Sequence, residues 1–254
     1  MADYKKIKTY IADHQAAMIE MLEKMVCIQS GTANKSGVDA VAALIEQEMT
    51  DLGFSCELIR QNVSGNHLIA RLTGTDPGRK PILMIGHMDT VFPEDTTFNW
   101  FKQDADHSYG PGTADMKGGL VVGIFAIRAL LETCGRPEFP ITFVFNSDEE
   151  TGSPTSRDLI RTEARQSQAA FVFEAGGLNN EVVTGRKGNF AAQLDIEGQA
   201  GHAAFAGRNK ASAVLELAKK TIEIEALNNP DKGISANVGL ISGGIGRNTI
   251  AQHA

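Results

Sequence analysis

The sequence is poor in cysteine, in long hydrophobic runs and in excess positive charge. Its 254 residues include three widely separated cysteines, Cys27, Cys56 and Cys134, and no CxxC pair. This sparse, odd count argues against a cysteine zinc site and is typical of a reducing compartment. The most apolar run, GGLVVGIFAIRALL, is interrupted by Arg128 and is too short to span a bilayer. The N-terminus has no apolar core of the signal-peptide type, and we therefore expect a cytoplasmic protein without a membrane partner.

Basic residues are outnumbered, with 24 lysines and arginines against 31 acidic residues and a net charge of −7. A nucleic-acid binder usually presents a basic face, so we expect no nucleic-acid partner. Hydrophobic residues make up 42% of the chain and charged residues 22%, proportions that exclude a disordered protein. The length is sufficient for one large domain or two smaller ones.

Hydrophobic periodicity predicts the architecture of the first 184 residues. Apolar residues at intervals of three and four predict helices near the N-terminus, over 7–25 and 38–52. Short apolar runs then alternate with helical patterns; the runs are 67–72, 82–85, 141–145 and 170–173, and the helical patterns are 119–132 and 156–165. Continuous apolar strands separated by helices predict an α/β fold with a mostly parallel sheet covered by helices.

The pattern changes near residue 184. The segment VVTGRKGNFAAQLDIEG predicts a turn that joins two strands, and a helix over 211–227 and a strand near 235–241 follow it. This β-α-β order indicates the start of a second, smaller unit. We therefore predict a first domain over residues 1–184 and part of a second over residues 185–254.

Polar residues follow three of the predicted strands directly. Ligands in open α/β sheets bind beyond the carboxyl ends of the strands, so these residues are expected to meet at one edge. They are His87 and Asp89 after the second strand, Glu149 and Glu150 after the third, and Glu174 after the fourth, while the glycine-rich loop YGPGTADMKGG adds Asp115. One imidazole with several carboxylates is the ligand set of a zinc or similar divalent site. Two metals bridged by a carboxylate would account for the surplus of acidic groups.

The spacing of these residues also suggests separate roles for some of them in metal binding, in orienting the imidazole and in proton transfer. Asp89 lies two residues after His87, on the same side of an extended chain, where it can hold the second imidazole nitrogen. Glu149 and Glu150 are neighbours and point apart, so that one can bind metal while the other acts as a general base. A metal-free domain that binds a small molecule in the same pocket is an alternative, although clustered carboxylates without a cation would be costly.

At these residues the chain resembles the di-zinc metallopeptidase family of glutamate carboxypeptidases, aminoacylases and acetylornithine deacetylases. The segments that carry the resemblance are GHMDTV, YGPGTADMKGG, NSDEETGS and FEAG, followed by GRKG, GQAGHAAFAGRNKASA and GRNTI. The sequences of these segments most resemble those of the bacterial glutamate carboxypeptidases. The resemblance implies a zinc exopeptidase-like catalytic domain over 1–184 and an incomplete α+β, ferredoxin-like lid over 185–254.

The resemblance also implies roles for the clustered residues. His87 and Glu174 would bind one zinc ion, Glu150 would bind a second, and Asp115 would bridge the two. Glu149 would be the general base for hydrolysis of an amide bond by a bridging hydroxide. Cobalt or manganese could substitute for zinc, since nitrogen and oxygen ligands accept several divalent ions.

Three further roles carry over from the family. Asp89 would orient His87, and His202 of the lid would stabilise the developing oxyanion, in many members across a dimer interface. Asn248 would bind the substrate carboxylate or the reacting carbonyl. The implied partners are a small peptide or acyl-amino-acid substrate and, through the lid, a second copy of the chain.

One family feature is missing from the sequence. A last histidine ligand of the zinc that Glu150 would bind normally follows the lid, and the only histidine after His202 is His253, in the lid region. We therefore expect a C-terminally truncated chain with an incomplete second zinc site. The leading hypothesis is a carboxypeptidase-type hydrolase; the alternatives are an N-acyl-amino-acid deacylase and an inactive fragment that keeps only metal binding and lid-mediated dimerisation.

Overall fold

The computed structural model describes residues 4–76, 78–177, 181–207 and 209–254. Arg208, which belongs to one of the lid segments quoted above, lies outside the described residues. The chain divides into two compact units, Met1–Glu181 and Val182–Ala254. Among the described residues, no helix combines the length and the apolar character needed to cross a membrane.

The first unit contains five helices and seven strands among its described residues. The helices are α1 (Tyr4–Asp13), α2 (Gln15–Val26), α3 (Lys35–Asp51), α4 (Gly118–Cys134) and α5 (Arg157–Gln166). The strands are β1 (Ser55–Ile59), β2 (His67–Leu72), β3 (Ile82–His87), β4 (Lys102–Gln103), β5 (Ser108–Tyr109), β6 (Ile141–Asn146) and β7 (Ala169–Val172). The single N-terminal helix predicted from periodicity is divided in two at His14, and the sequence pattern did not predict β1.

Five of these strands form one sheet in the order β1-β2-β6-β3-β7. β3 pairs in parallel with both β6 and β7, whereas β2 is antiparallel to β6 and to β1. Four strands therefore run in one direction and β2 runs in the other, which confirms the mostly parallel α/β fold. Because β3 is flanked by β6 and β7, its carboxyl end lies beside theirs.

The core of the first unit lies between the sheet and helices α2, α3 and α4. The apolar side chains of these helices are almost fully buried, among them Met25, Val41, Ile45 and Leu120. A smaller cluster packs on the other face, where Leu83 and Val144 meet side chains of α5. Helices on both faces explain why β3 and β6 read as continuous apolar runs rather than alternating ones.

The second unit departs from the prediction. It contains helix α6 (Ala213–Glu225) and the two short strands β8 (Gly201–His202) and β9 (Thr249–Ile250), which pair antiparallel. The strands predicted beside the GRKG turn and near 235–241 are wrong, because no strand occupies those described residues. An extended segment becomes a strand only when a neighbour accepts its backbone hydrogen bonds. Among the described residues of this unit, such pairing is limited to β8 with β9 and to isolated bridges between Glu197 and His253 and between Asn229 and Ile234.

Candidate metal centre

His87 is the last residue of β3 and lies at the centre of the polar cluster. Its side chain is buried, because the flanking strands β6 and β7 enclose the end of β3. Its Nε2 atom lies 3.0 Å from Oδ1 of Asp115 and 3.3 Å from Oε1 of Glu174. One nitrogen or oxygen atom from each of these three residues lies within 4.8 Å of the others. This is the donor set and the spacing that a zinc ion needs.

Asp115 lies on an irregular turn, Thr113–Lys117, which leads into α4. The ammonium group of Lys117 is buried beneath this turn, and its Nζ atom donates hydrogen bonds to the carbonyl oxygens of Met25, at 2.9 Å, and Ile28, at 3.0 Å. Met25 lies in the last turn of α2 and Ile28 just beyond that helix, and the Met25 oxygen also accepts a hydrogen bond of 3.2 Å from the Ile28 amide. Lys117 thereby fastens the loop of Asp115 to α2.

Gly119 permits the close approach that brings Asp115 and Glu174 together. A Cβ atom at position 119 would lie 1.8 Å from the carbonyl oxygen of Phe173. Phe173 directly precedes Glu174, and its amide donates to Ile85 at 3.0 Å, which extends the pairing of β3 and β7. The start of α4 therefore lies directly against the segment that carries Glu174, as only glycine allows.

Asp89 is buried on the other side of the imidazole. Its backbone oxygen lies 2.9 Å from Nδ1 of His87, and its Oδ1 atom lies 3.3 Å from the same nitrogen. Its carboxylate also accepts hydrogen bonds from the Thr32 hydroxyl, at 2.7 Å, and from the backbone amides of Glu149, at 3.2 Å, and Glu150, at 3.3 Å. The arrangement leaves Nε2 as the nitrogen that faces the cluster, as a metal-ligating histidine requires.

Glu149 and Glu150 begin the short helical turn Glu149–Thr151 after β6. Oε2 of Glu149 lies 3.9 Å from Nε2 of His87. Asp148, the residue before this turn, stabilises it. The buried Asp148 carboxylate accepts hydrogen bonds from the hydroxyl groups and from the backbone amides of Thr155 and Ser156. The two glutamates are thus presented by a fixed segment at the carboxyl end of β6.

The carboxylates grouped around His87 create a negative potential that favours a bound cation. Burial raises the pKa of Glu149, and the nearby charges of Glu174, Asp89 and Asp115 raise it further against the effect of His87. Burial lowers the pKa of His87, but hydrogen bonds and charge interactions with Asp89 and Glu174 outweigh it and raise the pKa to about 11. The negative potential around the ring therefore attracts positive charge, and a divalent ion supplies that charge with the correct ligands.

The two predicted lid residues lie in the second unit and are neighbours there. His202 ends β8 and is exposed, and its Nδ1 atom accepts a hydrogen bond of 3.2 Å from the backbone amide of Ala204. The backbone oxygen of Asn248 accepts a hydrogen bond of 2.8 Å from Ala203. The β8–β9 pair thus brings His202 and Asn248 to one end of a small ribbon.

Sequence reasoning missed the residues that hold this cluster in place. Lys117 stands within a quoted motif but gave no sign that its ammonium group would be buried. Thr32 lies in the loop before α3, which gives no sign of its contact with Asp89. His67, at the start of β2, is fully buried, with Nε2 3.0 Å from the Thr155 hydroxyl and Nδ1 3.0 Å from that of Ser147. The local sequence carries no signal of these contacts, because the partners lie 57 to 92 positions away along the chain.

Comparison with known sequences adds independent information. The profile of "Peptidase family M20/M25/M40" matches residues 83–244. Carboxypeptidase G2 of Pseudomonas sp. (strain RS-16) is 32% identical over 246 residues, which cover 95% of this chain and 59% of that protein. Acetylornithine deacetylase of Klebsiella pneumoniae (strain 342) is 26% identical, over 91% of this chain and 64% of that protein. The chain therefore spans about three-fifths of the length of these curated relatives.

Solved structures share the fold. The aminopeptidase PepT from Bacillus cereus ATCC 10987 superposes with a TM-score of 0.68 at 24% identity, over 94% of this chain and 64% of that one. A tripeptidase from Staphylococcus aureus subsp. aureus mu50 gives a TM-score of 0.66 at 21% identity, with the same coverage of both chains. At these identities the likeness concerns the fold alone, and it agrees with the α/β architecture described above.

Proposed function

Since the chain belongs to peptidase family M20/M25/M40, a family of metal-dependent hydrolases, we propose that it hydrolyses an amide bond in a small substrate that bears a carboxylate. The substrate would be a peptide that releases its C-terminal amino acid, or an acyl-amino acid. The observation that carries this proposal is the convergence of His87, Asp115 and Glu174 on one point beside Glu149.

The donor set fits zinc, with one imidazole nitrogen and carboxylate oxygens at the required spacing. His87 and Glu174 would hold one ion, Glu150 a second, and Asp115 both. When bound, the metal polarises the scissile carbonyl and lowers the pKa of water. Cobalt or manganese would serve the same ligands.

The chain's own residues supply the proton transfer. Glu149 takes the proton of the attacking water at its carboxylate and passes it to the leaving amine. Its position supports this role, because its carboxylate lies at the edge of the cluster, 3.9 Å from Nε2 of His87. Asp89 keeps the imidazole oriented during the reaction through its contacts with Nδ1.

We also propose roles for residues of the second unit. We propose that His202 donates to the developing oxyanion and that Asn248 binds the substrate carboxylate or the reacting carbonyl. We also propose a homodimer that forms through this unit, since large apolar side chains such as Ile222 and Leu227 are exposed on and just after α6. The free cysteines of the chain accord with a cytoplasmic location.

Hydrolysis assays with purified, zinc-supplemented protein test the proposal. The panel contains dipeptides and N-acetyl and N-benzoyl amino acids that end in alanine, phenylalanine or glutamate, which separates a peptidase from a deacylase; a deacetylase among the relatives favours including the latter. Glu149→Gln should lower kcat by about 10²–10⁴-fold and leave bound zinc unchanged. Glu132→Gln, an exposed residue on α4, is the matched control. A chain that binds zinc but hydrolyses no member would instead support the inactive-fragment alternative.

A further inference from the structure

The imidazole of His67 contacts both ends of the segment that carries Glu149. His67 begins β2 and is fully buried. Its Nδ1 atom lies 3.3 Å from the backbone nitrogen of Ser147, which precedes Glu149 in the chain, and its Nε2 atom lies 3.0 Å from the hydroxyl oxygen of Thr155, which follows it. These partners are 80 and 88 positions away from His67 in the sequence. One ring on β2 therefore joins the two ends of segment 147–155.

The neighbouring hydroxyl groups determine which ring nitrogen donates. The Thr155 hydroxyl donates to Oδ2 of Asp148 at 2.7 Å, and a carboxylate can only accept. Because a hydroxyl group carries a single proton, the hydrogen bond between Thr155 and His67 must be donated by Nε2. The Ser147 hydroxyl likewise donates to the carbonyl oxygen of Gly65, so the backbone amide of Ser147 is the donor to Nδ1. The surroundings thus select the neutral ring with its proton on Nε2.

A chain of hydrogen bonds runs from this ring to the residue before Glu149. Nε2 of His67 donates to the Thr155 hydroxyl, which donates to the carboxylate of Asp148. The same carboxylate accepts from the backbone amides of Thr155, at 2.7 Å, and Ser156, at 3.1 Å. Asp148 and Ser156 are both buried. Hydrogen bonds in series strengthen one another in such a low-dielectric environment, so the ring and the carboxylate act as one unit.

The turn that carries Glu149 is therefore held at two separate places. Asp89 accepts from the backbone amides of Glu149 and Glu150 on the side of the metal cluster. His67 and Asp148 hold the turn on its other side, and His67 is not one of the three residues grouped around the proposed ion. A change at His67 should therefore alter the placement of the turn without removing a ligand.

We propose that His67 is a positioning residue for Glu149, and that it acts through Thr155 and Asp148 rather than on the reacting atoms. The inference rests on the proposed function, in which Glu149 takes a proton from water and passes it to the leaving amine. Placement is decisive for such a group, because a displacement of about 1 Å can lower a rate by about 10²-fold.

Substitutions in this chain of hydrogen bonds provide the test. His67→Met removes both ring nitrogens, whereas His67→Gln keeps an N–H donor near the position of Nε2. Thr155→Val removes the hydroxyl group at nearly constant size and keeps the backbone amide that Asp148 accepts. Thr162→Val is the matched control, since the hydroxyl of Thr162 donates within α5, to the carbonyl oxygen of Asp158.

The kinetic measurement compares the best amide substrate of the panel with its ester analogue, in which oxygen replaces the scissile nitrogen. A leaving amine depends on a proton from Glu149 more strongly than a leaving alcohol does. In zinc-saturated His67→Met and Thr155→Val we expect kcat for the amide to fall by about 10–100-fold, with KM within about twofold of wild type. The ratio of amide to ester kcat should fall by about fivefold.

The other variants decide between positioning and a loss of folded protein. His67→Gln should recover most of the lost kcat, and Thr162→Val should match wild type. The double variant of His67→Met and Thr155→Val should lose no more than the larger single loss, because both act in one chain of hydrogen bonds. Unfolded protein would lower amide and ester hydrolysis equally. An unchanged amide-to-ester ratio in Thr155→Val, or losses that multiply in the double variant, would overturn the inference.

Failure of the proposed function would be visible separately, as absence of turnover by wild type for the whole panel. In that event amide hydrogen exchange, measured by mass spectrometry on peptides that cover residues 147–156, still tests whether the chain of hydrogen bonds fixes the turn. We expect exchange in this segment to be about tenfold faster in Thr155→Val than in wild type, and unchanged in Thr162→Val. Equal exchange in wild type and Thr155→Val would overturn the inference.

Discussion

The carboxylate of Asp89 lies 3.3 Å from Nδ1 of His87, and the backbone oxygen of Asp89 lies 2.9 Å from the same atom. The same carboxylate also accepts from the backbone amides of Glu149 and Glu150. One buried side chain therefore orients the histidine on β3 and fixes the turn that follows β6. Neighbouring carboxylates of this kind set the tautomer and raise the basicity of a ligating imidazole.

Replacement of Asp89 by asparagine should weaken zinc binding without unfolding the protein. Asparagine keeps the size of the side chain but loses the charge, and its amide group would oppose one of the three donors it faces. We expect zinc affinity to fall by about 10–100-fold, as is usual when such a partner is lost. Competition with a chelating dye measures the affinity, and exposed Asp106→Asn provides the control. Unchanged zinc affinity in Asp89→Asn would argue against a metal at His87.

Gly119→Ala should disturb the same proposed metal centre by displacing the segment that carries Glu174. The added methyl group would lie 1.8 Å from the carbonyl oxygen of Phe173, so α4 and the segment of Glu174 must separate. We expect a lower Tm and at least a tenfold loss of zinc affinity. Gly188→Ala is the control, since its methyl group would meet no atom within 4 Å. Wild-type affinity together with a wild-type Tm would show that the close approach is not needed.

Lys117→Met should cost stability. Methionine fills similar space but removes the Lys117 donor from the carbonyl oxygen of Ile28 and one of the two donors from that of Met25, which also accepts from the Ile28 amide. An unsatisfied group costs about 1–3 kcal/mol, so we expect the free energy of unfolding to fall by about 1–3 kcal/mol in urea titration. Lys24→Met removes a lysine from an exposed ion pair with Glu20 and should leave that free energy nearly unchanged, because solvent screens exposed pairs. Equal effects of the two substitutions would contradict this role of Lys117.

His67 should make stability depend on pH. Burial lowers the pKa of His67 below 6.5, against the smaller raising effects of Asp148 and Asp89. Below about pH 6.5 the unfolded chain therefore binds a proton that the native histidine refuses, and stability falls as the pH falls. Between pH 7.5 and 5.5 we expect wild type to lose more of its free energy of unfolding than His67→Gln loses. His107→Gln, at a histidine whose side chain is 69% exposed, should behave like wild type. Parallel stability curves for wild type and His67→Gln would refute the prediction.

Much of the first unit was predictable because its signals are local. The apolar runs at 67–72 and 141–145 match β2 and β6 closely, since strands covered on both faces must be apolar throughout. The cluster was also predictable, because His87 and Glu174 follow parallel strands and such ends share one edge. The residue types of the cluster were therefore visible without any structure.

Other features depended on contacts that sequence patterns do not encode. β1 reads as mixed polar and apolar because it is an edge strand with an exposed face. The predicted strand near 235–241 failed because a strand needs a partner, which periodicity cannot supply. The roles of Thr32 and Lys117 arise from hydrogen bonds to residues 57 and 92 positions away in the sequence.

The most direct test of the central claim is elemental analysis of zinc bound to protein purified without chelator, in wild type, Asp115→Asn and Glu174→Gln. We expect zinc in wild type, near two ions per chain if a second ion also binds at Glu150 and near one if it does not. We expect a marked loss of that zinc in both variants, whereas Asp106→Asn should retain it. Wild type that holds no zinc even after zinc is added, or variants that retain the full wild-type amount, would contradict the assignment of His87, Asp115 and Glu174 as a metal centre.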